Sequence, residues 1–124
     1  MADATTVLLI DADRAYRDYY AQRLYASTIK YDVFQAATGR SGLDIIARQP
    51  IDCVVLEIDL PDMSGVEVMA NSIPHPYRPE RAIIVLTRFY NQLLANLAMK
   101  NGAQAAFPKT AESGELLEAS IVKA

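Results

Sequence analysis

The stretch from Asp52 to Gly65 constrains the fold of this chain more than any other part of the sequence. It reads DCVVLEIDLPDMSG, so an apolar run ends in acids and is followed by the turn-forming residues Pro61 and Gly65. A short apolar run bounded by turn signals indicates a strand that is buried on both faces, as in a parallel sheet. Acids at the end of such a strand lie at the carboxyl edge of the sheet, where open α/β proteins place their sites.

Four more apolar runs alternate with segments of helical periodicity along the chain. We predict strands at 7–10, 31–37, 52–58, 82–87 and 103–107, and helices at 13–27, 42–48, 65–72, 91–101 and 112–123. Alternation of this kind implies a parallel sheet that is covered by helices on both faces and joined by right-handed crossovers. At this length the predicted fold is a doubly wound α/β sheet of the flavodoxin-like (βα)5 type, with strand order 2-1-3-4-5.

The size and charge of the chain argue against several classes of protein. Its 124 residues suit a single domain, predicted over 1–124, and its net charge of −3 offers no basic surface for nucleic acid. No apolar stretch approaches the roughly 20 residues that span a bilayer, and the N-terminus lacks the basic and apolar regions of a secretory signal. The lone Cys53 lies in an apolar run, so we expect a buried, inert thiol. These features predict a cytoplasmic protein without membrane contact.

Four polar residues stand where predicted strands 1, 3, 4 and 5 end. They are Asp11, Glu57, Thr87 and Lys109. In the predicted order strands 1, 3 and 4 are neighbours and strand 5 flanks strand 4, so all four residues converge on one end of the sheet. Taken alone, Thr87 would be an ordinary strand-end residue and Lys109 a solvated charge. Their joint placement with the two acids indicates a site.

The order of these residues resembles the receiver domains of response regulators in two-component signalling. The resemblance rests on the strand 1 motif Ile10-Asp11-Ala12-Asp13-Arg14, on the stretch 52–65 and on the strand ends, and it covers essentially the whole chain. It implies an acidic pair after strand 1, an acceptor Asp after strand 3, a Thr or Ser after strand 4, a Lys after strand 5, and a divalent cation held by the acids. Phosphoryl transfer needs such a set because it depends on positioning and charge neutralisation, and Mg²⁺ prefers carboxylates and water.

This chain departs from the family pattern at the positions that matter most. Glu57 stands where the acceptor Asp is expected, and Ala12 stands where the second acid contacts the metal. Arg88 replaces a small residue that leaves a path to the acceptor, and Thr110 follows the Lys in place of Pro. Asp59 adds a carboxylate close to Glu57. Asp13, in turn, is expected to cap the first helix.

Glu57 has three interpretations. Its extra methylene places the carboxylate roughly 1.5 Å further out, where it could pair permanently with Lys109 and Thr87 in a fixed, active-like state. Alternatively, Arg88 and Lys109 neutralise it and the domain is an unswitched docking scaffold. In the third interpretation it still accepts a phosphoryl group, on Glu57 or Asp59, with Asp59 covering for the lost metal ligand. The first two are favoured, so we predict a pseudo-receiver that is not an enzyme and acts by protein contacts.

The same departures decide which ligands are expected. Ala12 lacks the direct metal ligand and Glu57 lacks the geometry of the acceptor Asp. These are the two parts on which the positioning of the phosphoryl group depends. We therefore expect no cofactor, and Mg²⁺ binding that is at most weak, through Asp11, Glu57 and Asp59. A flavodoxin-like cofactor protein is a further class, but it needs phosphate-binding donors after strand 1. The acids Asp11 and Asp13 would repel a phosphate there.

Protein partners are implied by the resemblance: a histidine kinase, a phosphotransfer domain or an output domain. An apolar set crowds the predicted fourth helix, and not all of it can face inward: Phe89, Tyr90, Leu93, Leu94 and Leu97. We predict a possible homodimer or partner contact through helix 4, strand 5 and helix 5, with core packing of these residues as the alternative. In the first helix Tyr16 and Tyr20 are expected in the core or at its boundary, whereas Tyr19 and Tyr25 are candidates for exposure and partner contact.

Overall fold

Ten elements alternate along the part of the chain that the computed structural model describes, which is residues 4–72, 82–110 and 113–123. The strands are β1 (Thr5–Ile10), β2 (Tyr31–Ala36), β3 (Cys53–Leu56), β4 (Ala82–Thr87) and β5 (Ala105–Pro108). The helices are α1 (Arg14–Tyr25), α2 (Gly39–Arg48), α3 (Gly65–Ser72), α4 (Gln92–Lys100) and α5 (Ser113–Lys123). No helix in the described ranges is long and apolar enough to cross a membrane.

The strands form one five-stranded sheet in the order β2-β1-β3-β4-β5, and every neighbouring pair is parallel. Each residue of β3 and β4 is buried, which is the two-sided burial expected of central strands. One core cluster contains Ile46 of α2, Met69 of α3 and Ala98 of α4. The cluster on the other face contains Leu24 of α1 and Leu117 of α5. The predicted doubly wound, flavodoxin-like fold is therefore confirmed.

Two elements begin or end away from their predicted positions for local reasons. Strand β3 ends at Leu56, not at residue 58, because the Glu57 carboxylate accepts the backbone N–H groups of Ile58 and Asp59. Helix α2 begins at Gly39, three residues before the predicted start. The side chains of Thr38 and Ser41 there form a reciprocal capping box, which satisfies the free amides of a first turn.

Smaller shifts concern the other ends. Helix α1 ends at Tyr25, two residues before the prediction. Strand β5 begins at Ala105 and not at Ala103, because the Ala103 N–H donates to the carbonyl of Ala98 and so belongs to the end of α4. The Pro-rich loop 74–79, with the only histidine, and the predicted start of helix 5 at Glu112 lie outside the described residues. Cys53 is buried as expected, and burial raises the pKa of its thiol to about 12.

Candidate functional site

The four strand-end residues come together at the carboxyl edge of the sheet. Backbone bonds beyond the strands hold them there. The Glu57 N–H donates to the carbonyl of Ile10 at 3.0 Å, which continues the β1–β3 pairing, and the Lys109 N–H donates to the carbonyl of Thr87 at 3.0 Å. The Asp11 N–H donates in the same way to β2. The sequence pattern therefore places these side chains together, and their roles stay a prediction.

Lys109 lies at the centre of the cluster. Its ammonium forms ion pairs with Asp11 Oδ2 and, at 3.0 Å, with Glu57 Oε1. Only 2% of the Lys109 side chain reaches solvent. On a third side the ammonium lies 4.1 Å from the centre of the Tyr16 ring, within the range of a cation–π contact. The lysine is thus enclosed by two carboxylates and an aromatic face.

Glu57 is surrounded by hydrogen-bond donors. Its Oε2 atom accepts the N–H of Ile58 at 2.7 Å and that of Asp59 at 3.1 Å. Its Oε1 atom accepts from Lys109 at 3.0 Å and, at 3.4 Å, from the N–H of Arg88. The side chain of Thr87 also donates to this carboxylate. Since the Glu57 side chain is only 4% exposed, these protein groups replace water as its partners.

The charge states of the pair follow from these contacts. Burial alone would raise the pKa of Glu57, but the hydrogen bonds from Thr87 and Lys109 outweigh it, so the pKa lies below its ordinary value. Burial alone would lower the pKa of Lys109, but the hydrogen bonds to Asp11 and Glu57 outweigh it and the pKa is raised. Both groups are held in their charged forms.

Asp11 and Asp13 have different tasks. The Asp11 Oδ1 atom accepts the N–H of Asp13 at 2.9 Å, while its other carboxylate oxygen faces Lys109. Asp13 turns away to cap α1, and its side chain accepts the N–H groups of Ala15 and Tyr16. The expected capping role of Asp13 is confirmed.

Arg88 lies at the edge of the site and does not cover Glu57 with its charge. Its exposed side chain places the guanidinium carbon 5.4 Å from the centre of the Phe89 ring. The structure describes both Arg88 and Glu57, and no ion pair joins their side chains. Their contact is the hydrogen bond from the Arg88 backbone N–H to the Glu57 carboxylate. A cleft of about 210 Å³ opens next to them, lined by the exposed Asp59 together with Asp11, Ala12, Asp13, Glu57, Leu60, Pro61, Arg88 and Lys109.

The donor set does not fit a bound Mg²⁺ ion. Ala12 offers no side-chain ligand, and the oxygens of Asp11 and Glu57 already accept from N–H groups and from the Lys109 ammonium. Within the described ranges, no group of three or more His, Cys, Asp or Glu residues could hold a metal ion. An octahedral ion needs several free oxygen ligands. The hydrogen bonds and ion pairs of Asp11 and Glu57 leave too few of their oxygens free for this.

Two residues of the site region are not found by reasoning from the sequence. The sequence places Tyr16 only in the core or at its boundary, yet its ring lies against Lys109. Its position three residues after the helix cap, on the turn of α1 nearest the strand ends, is the available signal. Asp62 accepts the N–H groups of Gly39 and Arg40 at 2.8 and 2.9 Å. The backbone bonds from Arg40 and Gly39 lower its pKa, and they tie the loop after β3 to the start of α2.

A doubly wound parallel sheet with acids after β1 and β3, a hydroxyl at the end of β4 and a lysine after β5 is the arrangement that the resemblance to receiver domains predicts. The family model described as "Response regulator receiver domain" matches residues 7–121. The chain belongs to this family, whose members are receiver domains of two-component signalling, generally non-enzymatic, that interact with kinases and output domains.

Solved structures and curated proteins agree with this assignment. The signal receiver domain of a putative Luxo repressor protein from Vibrio parahaemolyticus is 26% identical, with a TM-score of 0.84 over 98% of this chain and 89% of that one. A CheY-like receiver domain protein from Methanospirillum hungatei JF-1 is 27% identical, with a TM-score of 0.82 over 98% and 94%.

Among curated proteins, a probable cyclic di-GMP phosphodiesterase of Vibrio cholerae is 34% identical over 79% of this chain. The uncharacterized transcriptional regulatory protein YhcZ of Bacillus subtilis is 33% identical over 69% of it. The chain spans only 22% and 39% of the lengths of these two relatives. The likeness therefore concerns one part of each of these longer proteins.

Proposed function

We propose that this receiver domain is a pseudo-receiver, a non-enzymatic signalling module held in one state and acting by protein contacts that do not depend on phosphorylation. The observation that carries the proposal is the environment of Glu57. Its buried carboxylate accepts hydrogen bonds from five groups: the backbone of Ile58, Asp59 and Arg88, and the side chains of Thr87 and Lys109.

Such a carboxylate is a poor acceptor for a phosphoryl group. A carboxylate has about four lone-pair positions, and attack on phosphorus requires a free one aimed at the donor. The ionised, fully bonded Glu57 has no oxygen left over, because each of its oxygens serves at least two donors. In addition, Ala12 supplies no oxygen ligand for the divalent cation that would neutralise the incoming phosphate.

The same contacts favour a fixed, active-like state over a neutral scaffold. The resemblance implies that a phosphoryl group on the acceptor is bound by the hydroxyl after β4 and the lysine after β5. Glu57 engages both, Thr87 and Lys109, with its own carboxylate. The longer side chain of Glu57 therefore already binds the two groups that would otherwise bind the phosphoryl group. The scaffold alternative needs Arg88 to neutralise the charge of Glu57. No ion pair between Arg88 and Glu57 supports it.

A constantly presented surface would then carry the signal, and we propose the face of α4 for it, with a second copy of the chain as the occupant. Of the five apolar residues on α4 and in the turn before it, four are exposed: Phe89 and Tyr90 in the turn, and Leu93 and Leu97 on the helix. Leu94 is half-buried. Leu93 is 81% exposed, and exposed apolar patches commonly mark binding sites.

Labelling with acetyl phosphate and Mg²⁺ tests the central claim. We expect intact-protein mass spectrometry to find no phosphorylated species, and the ¹H–¹⁵N spectrum to be unchanged by the reagent. A receiver domain with an Asp acceptor and both metal-binding acids serves as the positive control for the reagent. Stoichiometric phosphate on Glu57 or on the exposed Asp59 would overturn the proposal and favour a phospho-accepting receiver.

A further inference from the structure

Three tyrosines and a serine form a continuous row from the buried lysine towards the surface of α1. The Tyr16 ring lies against Lys109 and stacks on Tyr20, with 6.3 Å between ring centres and 12° between planes. The edge of Tyr19 meets Tyr20 at 5.2 Å. The Tyr20 hydroxyl and the Ser113 hydroxyl are hydrogen-bonded at 2.6 Å, and Ser113 in turn donates to the Thr110 carbonyl. Aromatic spacing alone predicts only core packing here.

This row fixes the plane of the Tyr16 ring. Tyr20 is buried and anchored at its hydroxyl by Ser113, so the ring that stacks on it has a defined orientation. The face of Tyr16 is thereby turned towards the ammonium at 4.1 Å. An aromatic face carries partial negative charge and attracts a cation most strongly when water is excluded. The Lys109 side chain, 2% exposed, meets that condition.

We propose that Tyr16 is a positioning residue whose ring face holds the Lys109 ammonium between Asp11 and Glu57, so that this lysine is the permanent counter-ion of both acids. The inference rests on the proposed function, because a site fixed in one state needs a cation that does not leave. Two carboxylates and one ammonium carry a residual negative charge, and without a third contact the lysine could turn towards the adjoining cleft that it lines.

Amine labelling of the folded protein tests this directly, because the chain has only four lysines, Lys30, Lys100, Lys109 and Lys123. Lys30 and Lys100 are exposed and serve as internal references. We expect a brief pulse of acetic anhydride to leave Lys109 unmodified in the wild type. Tyr16→Leu should raise its labelling relative to Lys30 by about tenfold, as befits a cation–π contact in a dry site. Tyr16→Phe, which keeps the ring, should stay within about twofold of the wild type.

A matched control and an isosteric series separate a charge effect from simple packing. Tyr25→Leu changes a tyrosine of the same helix that is 60% exposed and lies outside the row, and it should leave Lys109 protected. Phenylalanine analogues with one, two and three fluorines at position 16 keep the shape of the ring and weaken its negative face. We expect Lys109 labelling to rise, and its NMR-measured pKa to fall, with each fluorine.

Each outcome decides the question. Wild-type protection of Lys109 in folded Tyr16→Leu, or a flat response along the fluorinated series, overturns the positioning role. Should Tyr16→Leu fail to fold, the fluorinated series is sufficient to decide between the two roles. Phosphorylation of the wild type with Lys109 still protected would defeat the proposed function but leave the role of Tyr16 standing.

Discussion

The Nζ atom of Lys109 lies 3.0 Å from Oε1 of Glu57, and only 2% and 4% of the two side chains reach solvent. Asp11 is the second anion on the same ammonium. A buried ion pair contributes little net stability when it is compared with an apolar pair. Removal of one partner is costly, however, because the other charge stays buried without compensation.

We therefore expect Lys109→Met to lower the free energy of unfolding by about 3–5 kcal/mol, the range for breaking a buried pair. Urea denaturation followed by circular dichroism measures the change. Lys100→Met, at an exposed lysine on α4, should stay within about 0.5 kcal/mol of the wild type. Adding Glu57→Gln to Lys109→Met should recover part of the loss, and equal losses for the two lysine variants would contradict the buried-pair argument.

The pH dependence of stability should reveal the contribution of Glu57 at low pH and that of Lys109 at high pH. The pKa of Glu57 is lowered from 4.5, so its contribution is present above pH 4.5 and is lost as pH falls through the folded value. The pKa of Lys109 is raised from 10.5, so its contribution is present below pH 10.5 and is lost as pH rises through the folded value. Glu57→Gln should flatten the acid limb of a plot of melting temperature against pH. Glu115→Gln, at an exposed acid of α5, should leave that limb unchanged.

The sequence contains enough to predict the sheet, because strand burial and βα alternation are properties of whole segments. The boundaries of β3 and α2 are predicted wrongly because side chains there bind backbone amides at the end of the element. Glu57 ends β3 by accepting two amides that follow it, and Asp62 reaches the first amides of α2 from another loop. The bonds to Asp62 join two segments more than 20 residues apart, so local propensity contains no information about them.

For the site, the strand-end rule is enough to place Asp11, Glu57, Thr87 and Lys109 at one edge of the sheet. Orientation cannot be predicted in the same way. The turn of the Arg88 guanidinium towards Phe89, and the contact of Tyr16 with the ammonium, depend on rotamers and on the stack against Tyr20. These are set by packing across elements and not by spacing along one of them.

Gly65 is expected to be sensitive to substitution because it lets α3 approach the backbone of Glu57 and Ile58, directly after β3. A Cβ atom there would lie 2.8 Å from the Cα of Ile58 and 2.9 Å from the Glu57 carbonyl oxygen, both backbone atoms that cannot move aside. We expect Gly65→Ala to cost about 1–3 kcal/mol, as overpacking does. Thermal unfolding provides the measurement.

Gly114→Ala is the matched control, since Gly114 also lies in the first turn of a helix. The nearest atoms to an added Cβ are those of the Arg23 side chain, from 2.5 Å, which is flexible and can shift. Its loss of stability should be clearly smaller than that of Gly65→Ala. Similar losses would mean that the close approach of Gly65 to the backbone of Glu57 and Ile58 is not what matters.

Phosphorylation chemistry should be partly recoverable. In the double variant Ala12→Asp/Glu57→Asp, the shorter acceptor side chain no longer occupies the donor groups of Lys109 and Thr87. The new acid at position 12 restores an oxygen ligand for Mg²⁺. We expect this double variant to be labelled by acetyl phosphate in a Mg²⁺-dependent manner, below full stoichiometry because Arg88 lines the approach. Intact-protein mass spectrometry, with and without EDTA, gives the readout. The single variant Ala12→Asp should stay unlabelled; labelling of it would show that Glu57 or Asp59 is a competent acceptor.

The final prediction concerns the apolar surface of α4. Leu93 and Leu97 lie four residues apart on this helix and are 81% and 44% exposed, so they share one face. A charge there should oppose contact between two copies, because an unpaired charge in an apolar interface must be desolvated. We expect the wild type to self-associate at high concentration in sedimentation experiments, and Leu93→Glu to shift it to the monomer. Met99→Glu changes an exposed residue on a different side of the same helix and should leave association intact. Because the site is fixed, acetyl phosphate should alter none of these results, and a wild type that stays monomeric throughout would remove α4 as a self-association surface.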